Sequence, residues 1–358
     1  MKKIRNIIIL LVTAALAIAS APFVSYMLTD DISFVQLPVG SAVDAYEDGV
    51  YYHILGDGLY ACTDSDKLFA EGSFTRVFID KKKIYCFEEQ YDNKRIIIHA
   101  FEKETGAPQG QFELPNELAD THYNVKCVDI TDGVMCIRSV QKGTRKPLLR
   151  FYDINNDFRE VSVVYDRKEI GGVTFFRFDD GREPVYPNDG TVLYVSDECT
   201  ITANIHEDNT EQLMFDYGGK RAPTYADHPY IQTWNVSGDK LYTVHTATRF
   251  SKGDKSDFYK LKHSKYDAVR VYDIETGIML TEKKFRRAEK VLRADGQAIV
   301  TYFNGNFIWY DPHDFTEKNT VPADGIAEGG YYHVCFSDGY SYLSEPEHRI
   351  LRRFGSNN

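Results

Sequence analysis

A short turn-and-strand signal recurs along the chain and constrains its fold more than any other feature. It is first seen as Asp48-Gly49, followed by the aromatic run Tyr51-Tyr52-His53. An aspartate-glycine pair between apolar runs favours a tight hairpin, because glycine adopts positive φ without a steric penalty. Similar turns, each followed by strand-forming residues, begin at Lys81, Asp132, Asp189, Gly238, Asp295 and Glu328. The pattern predicts a chain made of repeated hairpin units.

The spacing of these units predicts an all-β protein, a β-propeller. Most of the gaps are close to the roughly 40–50 residues that one propeller blade needs. A small sheet cannot bury both of its faces alone, and packing sheet against sheet in a closed ring covers them. The gaps before Lys81 and after Asp295 are short for a whole blade. We expect seven blades, and six or eight remain alternatives.

The first 29 residues have the layout of a targeting segment. A basic start, Met1-Lys2-Lys3-Ile4-Arg5, precedes an apolar run over residues 7–28. This run predicts an N-terminal apolar helix, which is either a cleaved signal peptide or an uncleaved membrane anchor. In both cases the positive end stays in the cytoplasm. We therefore expect residues 30–358 to form a propeller domain outside the cytoplasm, at the cell surface, membrane-anchored or secreted.

Residues 32–37 have the character of a strand but belong to no complete unit. Propellers commonly close by pairing a strand from one terminus with the sheet at the other. We expect this segment to pair with the last unit, around residues 331–354. A simple linker strand is the alternative.

The formal net charge of −11 argues against a role in nucleic-acid binding, which requires a basic surface. Three basic clusters stand out, at residues 81–83, 252–265 and 283–293. They are candidates for contact with an anionic polymer of the cell envelope. Ordinary solvated turns and strand faces are the alternative interpretation.

Two stretches, residues 199–230 and 251–266, are longer than a blade needs and are predicted to be polar loops. Long loops on a rigid scaffold often carry function, and tyrosine is favoured in binding surfaces. The candidate binding residues in these stretches are Tyr217, Tyr225, Tyr230 and Tyr259.

Two histidines occupy the same place after their turns. They are His53 in Tyr51-Tyr52-His53 and His333 in Tyr331-Tyr332-His333. If the ring closes, their blades are neighbours, and the pair becomes a candidate ligand-binding site. The alternative is sequence drift at a half-buried repeat position. Two histidines without a carboxylate partner do not indicate a metal site.

The six cysteines show no CxxC or other metal-binding spacing. Cys127 and Cys136 flank the Asp132-Gly133 turn and point to the same face. They form either a cross-strand disulfide or two buried apolar side chains. The sequence predicts neither a metal nor a cofactor.

No motif of a known catalytic class is present: the chain lacks GxSxG, HExxH, Walker and dinucleotide-binding patterns. The sequence therefore favours an exported, non-catalytic module that binds a protein or glycan at the cell envelope, with membrane contact only through the N-terminal segment. The alternative is a polysaccharide hydrolase or lyase whose acidic residues lie in the central channel.

The segment Arg270-Val271-Tyr272-Asp273-Ile274-Glu275-Thr276-Gly277 resembles the third-strand turn of bacterial quinoprotein-like and YVTN-type β-propellers. The quinoprotein group has a tryptophan docking motif in each blade, whereas this chain has only Trp234 and Trp309. The resemblance therefore implies no quinone cofactor. The Ser/Thr-x-Asp-x-Gly box of sialidase propellers is also absent. Envelope propellers of this kind resemble non-catalytic scaffolds or ligand-binding modules, and a shared fold does not fix a function.

Overall fold

The fold is all-β throughout the part of the chain that the structure describes. The structure is a computed structural model, and it describes residues 33–37, 44–63, 66–90, 92–93, 95–115, 126–140, 147–179, 184–186, 192–205, 211–225, 231–245, 266–326, 330–345 and 350–355. Within these ranges the regular elements are all β-strands. None of the described segments is a helix long and apolar enough to cross a lipid bilayer. The predicted apolar helix, in residues 1–29, lies outside the described residues.

The strands form eight sheets, numbered here in chain order from residue 44. Sheet 1 consists of β2 (Asp44–Glu47), β3 (Val50–Leu55), β4 (Gly58–Cys62) and β5 (Asp66–Glu71). Sheet 2 consists of β6 (Arg76–Ile79), β7 (Lys83–Gln90), β8 (Arg95–Glu102) and β9 (Pro108–Glu113). Sheet 3 consists of β10 (Lys126–Thr131), β11 (Val134–Val140), β12 (Pro147–Asp153) and β13 (Arg159–Val161). Sheet 4 has two strands, β14 (Tyr165–Ile170) and β15 (Val173–Phe178).

The second half of the chain repeats the four-stranded pattern. Sheet 5 consists of β16 (Val192–Val195), β17 (Cys199–Ile205), β18 (Glu211–Tyr217) and β19 (Lys220–Tyr225). Sheet 6 consists of β20 (Ile231–Ser237), β21 (Lys240–His245), β22 (Ala268–Asp273) and β23 (Met279–Lys284). Sheet 7 consists of β24 (Lys290–Ala294), β25 (Ile299–Phe303), β26 (Asn306–Tyr310) and β27 (Glu317–Pro322). Sheet 8 combines β1 (Ser33–Leu37) with β28 (Tyr331–Ser337), β29 (Tyr340–Glu345) and β30 (Ile350–Gly355).

The predicted hairpin turns form where the aspartate-glycine signal is strongest. Asp48 and Gly49 both have positive φ, 51° and 80°, and Asp132 and Gly133 have 50° and 78°. Two consecutive positive φ values match the twist of the flanking strands, which is why Asp-Gly is favoured there. These turns join the first two strands of sheets 1 and 3.

In sheets 2, 3 and 6 the turn after the third strand docks on the turn between the first two strands. In sheet 6 the Ile274 amide donates to the Asp239 carbonyl at 2.9 Å. The same bond recurs from Lys103 to Lys82 in sheet 2 and from Ile154 to Gly133 in sheet 3, at 3.0 and 2.9 Å. In these three sheets backbone groups thereby hold the two turns together, which explains why the same turn geometry recurs with different side chains.

Apolar side chains join the sheets face to face in a closed circuit. Eight buried clusters each combine residues of two successive sheets. Tyr52 and Val77, for example, belong to the cluster between sheets 1 and 2. Tyr51 and Cys335 belong to the cluster that joins sheet 8 back to sheet 1. Repeated sheets packed in a ring are the architecture of a β-propeller, so the prediction of an all-β propeller is confirmed.

Strand β1 completes the last sheet, as the sequence predicts for the segment before the first unit. It pairs with β28 over its whole length, from Ser33 with Tyr331 to Leu37 with Cys335. The pairing is parallel, whereas the first two strands of the other sheets pair antiparallel. Contacts of β1 with β24, the first strand of sheet 7, place it on the same side of the ring as the other first strands.

The prediction of a polar loop over residues 199–230 is wrong. Most of this stretch is β17, β18 and β19. In β17 the buried apolar residues Cys199, Ile201 and Ala203 alternate with threonines, and in β18 Leu213 and Phe215 are buried in the same cluster. A period of two residues is typical of a strand. The other predicted loop lies outside the described residues, apart from Tyr266.

Two predicted turns, at Asp189 and at Glu328-Gly329, also lie outside the described residues. In sheet 8 a turn with positive φ lies at Asp338 and Gly339, 46° and 74°, between β28 and β29. The cysteines whose side chains are described, Cys62, Cys86, Cys136, Cys199 and Cys335, are all buried. A bulge in β10 places Cys127 opposite Ile137, and Cys136 opposite Asp129, so the two cysteines are not directly opposite each other.

Candidate functional site

The two histidines singled out by the repeat lie together where the ring closes. His53 is in β3 of sheet 1 and His333 is in β28 of sheet 8, and their ring centroids are 6.4 Å apart. His53 is fully buried, with 1% of its surface exposed, and His333 is half-buried. Because β1 pairs with β28, the contact joins the first complete sheet to the sheet that contains both described ends of the chain.

Polar side chains from both sheets surround His53; we refer to Asp44, Tyr51, His53, His333 and Ser344 as the closure cluster. His53 Nε2 lies 2.8 Å from Ser344 Oγ in β29. The Tyr51 hydroxyl donates to Asp44 Oδ2 at 2.9 Å, and both side chains are buried. Asp44 is directly opposite His53 in the β2–β3 pair, so the two side chains lie on the same face of the sheet.

Burial determines the ionisation of this cluster. Desolvation, with a smaller contribution from His333, lowers the pKa of His53 to about 3. Burial also lowers the pKa of His333. Desolvation, and next the charge of Asp44, raises the pKa of Tyr51 well above its usual value. Both histidines are therefore neutral near pH 7.

The hydrogen bonds of His53 fit a neutral ring. Its Nδ1 is buried and has no hydrogen-bond partner among the described residues. A proton on Nε2 can be donated to Ser344 Oγ, and Nδ1 then carries only a lone pair. A second proton on Nδ1 would be a buried, unpaired charge, which is costly. The cluster is thus suited to hold two sheets together at neutral pH.

The closure cluster is not arranged as a metal centre. Within the described ranges, no group of three or more His, Cys, Asp or Glu side chains is placed to hold a metal ion. The nearby Cys335 thiol is buried, and desolvation followed by the charge of Asp44 raises its pKa. A thiol in such surroundings is protonated and a poor nucleophile.

The predicted tyrosine residues do not join this cluster. Tyr217 is at the end of β18 in sheet 5, where its hydroxyl donates to Glu198 Oε2 at 3.0 Å. Tyr225 is the last residue of β19 in the same sheet. The two residues are thus in strands and not in a loop. Tyr230 and Tyr259 lie outside the described residues.

A second buried polar group, centred on Glu289, is not predicted by the sequence. Glu289, 2% exposed, accepts hydrogen bonds from the hydroxyls of Thr301 and Tyr310, each at 2.7 Å. Its other carboxylate oxygen accepts from the Arg286 amide at 3.2 Å. In the sequence Glu289 lies within a strongly basic stretch and has the appearance of a solvated surface residue. Its three donors come from β25, β26 and the preceding turn, so only the fold identifies it.

The outer surface carries an exposed apolar strip at the start of β23. Ile278, Met279 and Leu280 are 61%, 46% and 52% exposed. Strand β23 is the outermost strand of sheet 6. The basic residues Lys283, Lys284, Arg286 and Arg287 follow directly along the chain. The sequence shows a continuous apolar run after the Thr276-Gly277 turn. Only the order of the strands in the sheet shows that these residues are exposed.

Comparisons with known proteins give similarities at low identity. No protein-family model matches the chain, and no curated protein matches it. Among solved structures, Saccharomyces cerevisiae Sqt1 is 9% identical, covering 92% of this chain and 97% of that chain with a TM-score of 0.47. Kluyveromyces lactis Hsv2 is 9% identical, covering 86% of this chain and 90% of that chain with a TM-score of 0.42.

Kuenenia stuttgartiensis hydrazine synthase is 8% identical, covering 92% of this chain and 96% of that chain with a TM-score of 0.41. Identities and TM-scores at this level transfer no activity, ligand or partner to this chain.

Proposed function

We propose that this chain is an exported, non-catalytic β-propeller that binds a protein or glycan partner and acts as a scaffold at the cell envelope. The observation that carries the proposal is the exposed apolar strip Ile278-Met279-Leu280 on a rigid ring of sheets. Exposed apolar residues in a contiguous run mark interaction surfaces more often than isolated ones do. The basic start and apolar run of residues 1–28 support export.

We further propose that the ring has eight blades, one of the two alternatives to the seven expected from the turn spacing. The eight apolar clusters, each between successive sheets, support this count. In this arrangement the two-stranded sheet 4 is a reduced blade, and Val185 extends it by an isolated bridge to Phe176.

A relationship to quinoprotein-like and YVTN-type propellers belongs to the same proposal. It is supported by the turn after β22, where Asp273 Oδ1 accepts from the Thr276 amide at 2.8 Å and Gly277 has a φ of 68°. These contacts give the Asp-x-x-Thr-Gly sequence a structural role. The proposal assigns no quinone to this chain.

The test is capture of partners by the full chain on a glycan array and from detergent-solubilised cell envelopes, with each captured partner identified and its affinity measured. Replacement of Met279 and Leu280 by serine should abolish specific capture. The matched control replaces Pro108 and Gln109 by serine, at the same positions of β9 in sheet 2, and should retain specific capture. Turnover of a polysaccharide that is lost when a single acidic residue is changed would overturn the proposal in favour of a hydrolase or lyase.

A further inference from the structure

The outermost strands of the sheets provide an internal comparison for the apolar strip. In sheets 2, 6 and 7 an amide at the end of the third strand donates to an equivalent carbonyl: Glu102 to Ala107, Asp273 to Ile278 and Asp311 to Thr316. A bulge follows at the same point, so that Gln109, Leu280 and Lys318 occupy the same place. The positions filled by Ile278-Met279-Leu280 in sheet 6 are therefore filled by Ala107-Pro108-Gln109 and Thr316-Glu317-Lys318 elsewhere.

The repeat does not require apolar residues at these positions, because sheets 2 and 7 form the same turn and bulge without such a run. In sheet 6 the three side chains are about half exposed. About half of their surface is therefore not used in packing within the described part of sheet 6. Large apolar side chains on an outer strand also increase the risk of unwanted edge pairing. A run kept at such a place is best explained by an interaction.

The backbone of β23 offers a second binding element. One edge of the strand pairs with β22, and within the described residues no strand pairs with its other edge. An outer edge presents amide and carbonyl groups to which an extended peptide can add as a further strand. In that mode the main-chain hydrogen bonds give affinity, and alternate side chains give specificity.

Charge indicates what kind of peptide fits. Residues 279–294 contain six basic and two acidic side chains, in a chain whose formal net charge is −11. The two acidic residues are already engaged: Glu282 bonds the buried Arg270 guanidinium at 2.8 Å, and Glu289 is buried. Lys284 and Arg286 also have acidic partners, Glu282 at 3.4 Å and Glu317 at 3.5 Å. The excess of charge over residues 279–294 is nevertheless positive, six basic against two acidic side chains. A second copy of this chain would bring the same positive charges together, which disfavours self-pairing.

We propose that β23 is the docking site for an extended, acidic peptide segment of another protein, which adds as a strand at this edge. Apolar side chains of the peptide contact Ile278, Met279 and Leu280, and its Asp or Glu residues lie near Lys283, Lys284 and Arg286. This inference rests on the proposed binding function and names the class of partner and the mode of recognition.

The test is selection from a display library of random ten-residue linear peptides on the immobilised full chain. Enriched peptides should combine apolar residues with neighbouring Asp or Glu. In hydrogen–deuterium exchange, the best synthetic peptide should protect amides of β23. Its affinity should fall at least tenfold between low and 0.5 M salt, because exposed charge pairs are screened.

Matched variants locate the site. Leu280→Glu and the double change Lys283→Glu with Lys284→Glu should each weaken the selected peptide at least tenfold. Gln109→Glu places the same new charge at the same bulge of β9 and should change its affinity less than twofold. Circular dichroism and the unfolding midpoint establish that each variant is folded.

Three results would overturn the inference. They are failure to enrich any peptide, enrichment of peptides without acidic residues, and equal effects of Leu280→Glu and Gln109→Glu. Binding of dextran sulfate that depends on Lys283 and Lys284, without peptide enrichment, would assign the surface to a polyanion. If no peptide is enriched while the full chain still captures an envelope partner, the proposed docking mode is wrong and the proposed binding function stands.

Discussion

At His53, the packing of two sheets fixes the ionisation of one side chain. The ring is buried between sheets 1 and 8, with one nitrogen at 2.8 Å from Ser344 Oγ and the other without a partner in the described residues. The neutral form suits this environment and the charged form does not, because a buried charge without a partner is costly. Protonation of His53 therefore acts directly against closure of the ring.

We predict that acid destabilises the protein through His53. Its folded-state pKa, about 3, is below the unfolded value of 6.5. The unfolded chain then binds more protons below pH 6.5, so stability is unaffected above pH 6.5 and falls as pH decreases towards 3. The slope is about 1.4 kcal/mol per pH unit, or about 2 kcal/mol between pH 7 and pH 5. Urea unfolding across this range measures it.

The control for this prediction is a histidine outside the cluster. His53→Asn should remove the additional loss of stability at pH 5, whereas His313→Asn should not, because His313 is exposed in a turn. Identical pH profiles for the wild type and His53→Asn would show that the closure cluster does not control the acid response.

Glu289 supports a second prediction, for its network of three donors. Tyr310→Phe removes one hydroxyl and should cost about 1 kcal/mol of unfolding free energy. Glu289→Ala leaves the Thr301 and Tyr310 hydroxyls buried without their acceptor and should cost roughly 3 kcal/mol or more. In the double variant the two costs should be less than additive. Fully additive costs in urea unfolding would contradict a shared network.

Some of these residue-level features follow from sequence and others do not. The pairing of His53 with His333 follows from their equal positions in two units, once the ring is assumed to close. Asp44, Ser344 and Glu289 have no such signal, because a single polar residue in a strand has the same appearance whether it faces water or another sheet. Their roles depend on contacts between strands that are distant in sequence.

At the scale of elements, the residue types at the turns are what identify the repeated units in the sequence. Asp48-Gly49 and Asp132-Gly133 adopt the positive φ values that their residue types favour. In sheet 5 the sequence predicts a strand after Asp189-Gly190, where β16 lies, but not β17 to β19, whose third and fourth strands are joined by Gly218-Gly219 instead of an aspartate-glycine turn. Local patterns therefore indicated the turn type more reliably than the limits of each sheet.

The turn at Gly277 supports a prediction about packing between sheets 5 and 6. A Cβ at Gly277 would lie 3.0 Å from Ala222 Cβ and 3.1 Å from Phe215 Cδ2, at a φ of +68°. Gly305 has a similar φ, +74°, with nothing within 4 Å. Gly305→Ala should cost roughly 1–2 kcal/mol, from backbone strain alone. Gly277→Ala should cost about 1–3 kcal/mol more, from overpacking against sheet 5.

The matched pair separates the two causes. Both variants are compared by urea unfolding, and hydrogen exchange in β18 and β19 reports on the contact with sheet 5. Faster exchange there should accompany Gly277→Ala and not Gly305→Ala. Equal stabilities of the two variants would show that the turn moves freely away from Phe215 and Ala222.

At the scale of the molecule, the ring depends on a strand that comes from before the first unit. Without β1, sheet 8 would expose the edge of β28, and the cluster between sheets 7 and 8 would lose Phe34. The Phe34 ring lies 5.2 Å from Tyr302 and 6.0 Å from Tyr332, centroid to centroid, and Lys290 Nζ is 5.4 Å from its centroid. Strand β1 therefore links sheets 7 and 8 as well as completing the last sheet.

We predict that a chain beginning at residue 38 is less stable than one beginning at residue 30, and that Phe34→Ala in the longer chain costs about 2 kcal/mol. Exchange should accelerate first in β28 and β24, the strands that β1 contacts. A synthetic peptide of residues 30–40 should bind the shorter chain and restore its unfolding midpoint, because it supplies the missing strand. The same peptide with Phe34 replaced by alanine should bind at least tenfold more weakly. An unchanged midpoint for the shorter chain, together with no binding of either peptide, would show that the ring closes without β1.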